Sequence, residues 1–111
     1  MTSLGDDLFV SHWYHPFISV YDVNSFTLRR NITLPRAVLY SSYLAASEIN
    51  NCVYMSETDN SVVYKINMTS DGSVISTWSL CRYSSGMYVT SNNTLLVACH
   101  VDDTFFLSRF V

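Results

Sequence analysis

No stretch of this chain approaches the roughly 20 consecutive apolar residues that a membrane-spanning helix requires. No membrane partner is therefore expected. The first ten residues, "MTSLGDDLFV", carry no basic region followed by an apolar stretch. No signal peptide is visible in them, and on that ground a cytoplasmic location is the expectation. Charge is also scarce. Only 14% of the 111 residues are Asp, Glu, Lys or Arg, against about 25% in typical globular chains. Together with an apolar fraction of 49%, this excludes a disordered chain, which needs low hydrophobicity and high charge. The net charge of −3 removes a general electrostatic attraction to nucleic acid. Three cysteines, Cys52, Cys81 and Cys99, show no C-x-x-C spacing. They give neither a disulfide framework nor a zinc site, and Cys52 and Cys99 read as small buried thiols in strands. No nucleophile motif and no Gly-rich phosphate loop occurs, so no catalytic residue and no cofactor is expected. No window shows helical spacing of apolar residues.

What is present is a repeat. Asn51 to Asn67, "NCVYMSETDNSVVYKIN", is two apolar runs joined by the polar ETDNS. Upstream stands "DLFVSHWYHPFISVYDV" and downstream "TLLVACHVDDTFFLSRFV". Leu8, Val53 and Leu95 align, at separations of 45 and 42 residues, and the next three positions match in all copies. Ile18-Ser19-Val20-Tyr21-Asp22 aligns with Val63-Tyr64-Lys65-Ile66-Asn67. A third apolar run follows the hairpin in the first two copies ("FTLRRNITLP" and "SVISTWSL"), and a short one precedes it in the last two ("YLAAS" and "GMYVTS"). Each full unit thus reads as four strands, a to d. The runs are rich in Val, Ile, Tyr, Phe and Thr, as strands are. A period of about 40 to 45 residues with four strands per unit is the pattern of a propeller blade.

The expected fold is therefore all-β: a partial β-propeller of four-stranded antiparallel blades, one domain over 1–111. Blade 1 holds strands b–d (6–35), blade 2 strands a–d (41–80) and blade 3 strands a–c (85–111), ten strands in all. Stacked blades cover both faces of inner strands. That accounts for near-continuous apolar runs such as "CVYM" and "TLLVAC", where a sandwich with one wet face per sheet alternates more strictly.

On these residues the chain resembles six-bladed propellers of the NHL-repeat type. "SSGMYVTSNNTLLVAC" and "NCVYMSETDNSVVYKIN" are the matching segments. The first copy is equally similar to surface-layer-type seven-bladed repeats, and the Gly-His and Trp-Asp signatures of WD repeats are absent. The resemblance implies that b–c loops and d–a connections gather on one face of the propeller, and a–b and c–d turns on the other. The first set then collects His12, Trp13, Tyr14 and His15; Glu57, Asp59 and Asn60; His100, Asp102 and Asp103; and Arg36, Arg82 and Tyr83. The second set, "VNSF", "TSDG" and "SNN", is plain turn chemistry. Such an asymmetry of aromatic and titratable residues fits a binding surface. A protein or peptide partner is the expectation.

Several readings lie beside it. His12 and His15 lack a third ligand in sequence, so no metal site is assigned. Cys99 and His100 are adjacent and point to opposite sides of a strand, which disfavours a Cys/His dyad. The family resemblance also admits a metal-dependent propeller hydrolase of lactonase or esterase type, in which Glu57 and Asp59 would be ligands. RNA binding, as in some NHL-type propellers, faces four carboxylates beside two arginines. Sequons stand at Asn31, Asn67 and Asn92. About two are expected by chance at this Asn, Ser and Thr content, so they carry little weight. End blades with unpartnered apolar faces imply either a piece of a longer protein or self-association to complete the propeller. An isolated monomer is not expected to be stable.

Overall fold

The computed structural model describes residues 1–12, 15–35, 42–57, 62–69, 72–79, 84–92, 94–101 and 104–110. Among the described residues, eleven strands form three antiparallel sheets. The first sheet takes β1 (Thr2–Leu4), β2 (Asp7–Ser11), β3 (Phe17–Asp22) and β4 (Leu28–Thr33) in that order. The second takes β5 (Ser42–Ser47), β6 (Cys52–Glu57), β7 (Val62–Thr69) and β8 (Gly72–Ser79). The third pairs β9 (Ser84–Val89), β10 (Leu95–Val101) and β11 (Thr104–Phe110), with β10 in the middle. The chain is all-β, and each sheet is an up-and-down meander. Successive runs of extended, β-branched and aromatic residues are separated by short polar turns, so each strand pairs with its sequence neighbour.

The first sheet corrects the expected strand count. It has four strands, not three, because Thr2–Leu4 pairs with β2 in the register Thr2↔Phe9, Ser3↔Leu8 and Leu4↔Asp7. Gly5 and Asp6 are the two central residues of this hairpin. Gly5 has φ 58°, and a glycine in the left-handed region at the first central position is what a tight mirror-image hairpin turn requires. Thr2–Leu4 holds a single apolar residue, so it carries no strand signal of its own. The turn chemistry recruits it.

The three sheets stack face to face, and the stacking follows the two-residue period of a strand. On β6, Val53 and Met55 face the first sheet; on β7, Tyr64 and Ile66 do so. They join Leu4, Phe9, Ile18, Val20, Ile32 and Leu34 in one buried cluster. The intervening residues Cys52, Tyr54 and Val63 face the other way and join Leu95 and Val97 of the third sheet in a second cluster. All six residues of β6 are buried. The backbones of neighbouring sheets come closest at their first strands, β1 against β5 and β5 against β9.

The aligned positions face the same way in every copy. Val53 and Met55 face the preceding sheet, and so do their counterparts Leu95 and Val97. Their counterparts in the first sheet, Leu8 and Val10, point away from the second sheet and are half-buried. Tyr64 and Ile66 face the preceding sheet, and their counterparts Ser19 and Tyr21 share the open face with Leu8 and Val10. The repeat seen in the sequence is thus a repeat of faces as well as of strands.

Two side chains of the middle sheet give opposite expectations. Met55 is fully buried in the first cluster, and Met55→Ala should cost about 2–5 kcal/mol. Ser56 is also fully buried, and its Oγ has no hydrogen-bond partner among the described residues. An unmade buried bond costs about 1–3 kcal/mol, so Ser56→Ala should leave stability unchanged or raise it. Urea denaturation of the variants at one fixed protein concentration checks both, and a large loss on Ser56→Ala would contradict the packing described.

Candidate functional site

The two ends of the stack differ. At one end lie the β1–β2, β3–β4, β5–β6 and β9–β10 turns, held by local backbone chemistry. Asp22 closes the β3–β4 turn: its Oδ1 accepts from the backbone N–H groups of Asn24 (2.8 Å) and Ser25 (3.1 Å). The Arg29 guanidinium bonds the other oxygen of Asp22 and also pairs with Asp7 at 3.2 Å. Neighbouring turns are tied together: Val23 N–H donates to the Asp6 carbonyl (2.9 Å), and Gly5 N–H donates to Glu48 Oε1 (3.4 Å) across the first two sheets. Asn51, at φ 50°, exchanges two bonds with Met68: Met68 N–H donates to its carbonyl (3.0 Å), and its amide donates to the Met68 carbonyl (3.3 Å). Asn tolerates this left-handed backbone better than most residues. These groups satisfy one another across the turns of the first two sheets.

The opposite end carries the candidate residues. Of these, His12, His15, Glu57 and the backbone of His100 are described. Trp13, Tyr14, Arg36, Asp59, Asn60, Arg82, Tyr83, Asp102 and Asp103 lie outside the described residues. Two of the four stand in strands where loop positions are expected. Glu57 is the last residue of β6, opposite Val62 and Ser42, and His100 lies within β10 opposite Phe105. Glu57 is also completely buried. Tyr64, on the same face of β7, donates its Oη–H to Glu57 Oε2 at 3.2 Å. A polar residue next to a polar run reads as loop in the sequence. A tyrosine seven residues on, across the hairpin, is the signal that a carboxylate is accommodated inside.

His12 and His15 flank the β2–β3 loop and meet at Phe17. The His12 and Phe17 ring centroids are 5.2 Å apart, those of His15 and Phe17 5.3 Å, and those of the two imidazoles 6.1 Å. Strand alternation explains the meeting, because His12 continues the outward-facing row Leu8, Val10 while Phe17 opens the row Phe17, Ser19, Tyr21. Beneath the rings runs a polar relay. Ser19 Oγ donates to Asn31 Oδ1 at 2.9 Å and lies 2.8 Å from His12 Nε2. The single hydroxyl hydrogen of Ser19 points at Asn31, and the contact with His12 is a bond in the tautomer that carries its proton on Nε2. This geometry does not activate Ser19 as a nucleophile. It fixes the His12 ring as one wall of a three-ring shelf whose other members are the exposed His15 and the half-buried Phe17. Ser19 and Asn31, which hold that wall, carry no sequence signal of their own.

Cys52 is buried and free. Burial pushes the Tyr54 phenol up to about 12, Cys52 beside it adding to the rise and a hydrogen bond with Asn50 opposing it. Tyr54 therefore stays protonated over the whole neutral range. Among the described residues, no group of three or more His, Cys, Asp or Glu converges as metal ligands, and no helix is long and apolar enough to cross a membrane. Compared with family models and with curated proteins, the chain matches none.

The rim end makes a pH expectation. Backbone bonds from Asn24 and Ser25, with Arg29 adding its charge, hold the Asp22 carboxyl below its ordinary 3.8. A carboxylate lowered on folding stabilises the fold above its unfolded pKa, and that contribution is lost as pH falls through the folded value. The thermal midpoint of the native chain should therefore fall as pH drops below about 4. Asp22→Asn, which keeps the Oδ1 acceptor and removes the charge, should show a shallower fall. Parallel pH profiles of the two proteins would show the turn assignment to be wrong if their slopes matched.

Proposed function

We propose that the chain is a partial β-propeller, similar to NHL-type repeats, that acts as a scaffold presenting its loop end to a protein or peptide. The observation that carries this reading is the contrast between the two ends. One is a rim of mutually satisfied turn residues, held by Asp22, Glu48 and Asn51. The other opens onto the ring shelf of His12, His15 and Phe17. Three supports favour the propeller itself: the four-strand meander occurs twice and a three-strand version once, aligned residues face the same way in each sheet, and the sheets approach one another most closely at their first strands.

A ring held in place by a part-buried polar relay, as His12 is, suits recognition of apolar or aromatic side chains, since little freedom is lost when it is covered. Imidazole nitrogens at the edge of such a shelf supply directional hydrogen bonds. Trp13, Tyr14, Arg82 and Tyr83 add the residue types that dominate binding energy in protein interfaces.

A random peptide library displayed on phage and panned against the immobilised protein tests the reading. Enriched peptides should bind the native chain. His15→Ala, Trp13→Ala and Tyr83→Ala should each weaken that binding by about tenfold or more, corresponding to at least ~1.4 kcal/mol. The β circular-dichroism signal should be retained. Equal binding by all three variants, or enrichment of peptides that dock on the turn rim, would remove the loop end as the site.

A further inference from the structure

We propose that Met68 is a site of methionine oxidation, and that the sulfoxide it forms is held by Arg30 across the seam between the first and second sheets. The inference does not depend on what the loop end binds. Both residues belong to a junction that the chain completes by itself.

Strand alternation brings the pair together. Ile66 lies on the face of β7 that packs on the first sheet, and Met68, two residues on, continues that row. Met68 packs against the edge of the first cluster and is half-buried. Its backbone is fixed by the two bonds with Asn51 and by pairing opposite Ser73 of β8. Arg30, on β4, stands opposite Val20 of the same cluster and is exposed. Its Nη2 donates to Met68 Sδ at 3.7 Å, on the solvent side of the junction.

The two groups are unequal partners. A guanidinium has five N–H donors, whereas a thioether sulfur is a weak acceptor. Arg29 next to it pairs with Asp7 and Asp22, but among the described residues Arg30 pairs with no carboxylate. An oxygen on the sulfur removes this mismatch, because a sulfoxide is polar and the donors already stand beside it. The oxidant is a hydroperoxide, ROOH. A lone pair of Sδ attacks its terminal oxygen, the S–O bond forms and the O–O bond breaks. The sulfur gives up an electron pair and the peroxide is reduced. The hydroxyl proton passes to the departing oxygen, which leaves as ROH, or as water when the oxidant is hydrogen peroxide. Sulfoxides ordinarily disrupt the cores they enter. Here the new oxygen accepts a charge-assisted bond and ties β4 to β7 across two sheets.

Met55 is the internal comparison, being fully buried in the same cluster. Hydrogen peroxide treatment of the 111-residue chain, followed by peptide mass spectrometry, should add oxygen to Met68 about tenfold faster than to Met55, since a sealed sulfur reacts only on opening. The thermal midpoint of the native chain, at one fixed protein concentration, should hold or rise when Met68 is oxidised. Arg30→Gln changes an exposed side chain and should fold, but its midpoint should fall by several degrees on the same treatment. Methionine sulfoxide reductase should reverse that fall. Adding Met68→Leu, a volume-conserving swap, to Arg30→Gln should abolish it. Three results would overturn the inference: equal oxidation rates at Met68 and Met55, equal losses in the native chain and Arg30→Gln, or a fall that survives Met68→Leu.

Discussion

Everything in this molecule depends on covering both faces of the middle sheet. A strand sends successive side chains to opposite faces, and β6 is apolar or buried at every position, "CVYMSE". Such a strand is stable only between two other layers. The first sheet covers Val53, Met55, Tyr64 and Ile66, and the third covers Cys52, Tyr54 and Val63. Each layer of burial contributes roughly 25 cal/mol per Å² of apolar surface removed from water. The middle sheet collects that contribution twice and the outer sheets once. The first sheet therefore shows a half-exposed row, Leu8 and Val10, where the middle sheet shows a sealed core.

The same constraint separates structure from recognition. With the inner faces used for packing, the ends of the sheets and the outward row of the first sheet that carries His12 and Phe17 are left to meet a ligand. At the turn rim, Asp22 and Asn51 spend their hydrogen-bonding capacity on their own backbone surroundings, which makes rigid turns and leaves little to offer a partner. At the loop end, Ser19 and Asn31 work in the opposite sense. They are aligned beneath an imidazole and hold it upright, so that His12, His15 and Phe17 share one surface.

Much of the fold is legible in the sequence, because the period of 42 to 45 residues survives in apolar runs that need only be the right length and pattern. The apolar cores of β2 to β11 coincide with the apolar runs that the repeat marks. What is not legible is what depends on partners across strands. Thr2–Leu4 has too little apolar character to announce itself and becomes a strand because the Gly5-Asp6 turn folds it back onto β2. Glu57 reads as a loop carboxylate, since charged groups are rarely buried, yet Tyr64 stands across the hairpin to bond it. For the site, the histidines stand out by their residue type. Their meeting at Phe17 and the polar relay beneath them arise from strand pairing, where Ser19 lies directly opposite Asn31, and no local pattern in the sequence encodes that.

The most direct test of the central claim is amide hydrogen exchange of the native chain, resolved segment by segment. If both faces of the middle sheet are sealed, β6 and β7 exchange slowest in the molecule, and protection falls on either side, through β2 and β3 and through β9. Protection that is uniform across the three sheets, or highest in the first or third, would show that the middle sheet is not the sealed layer on which the structure rests.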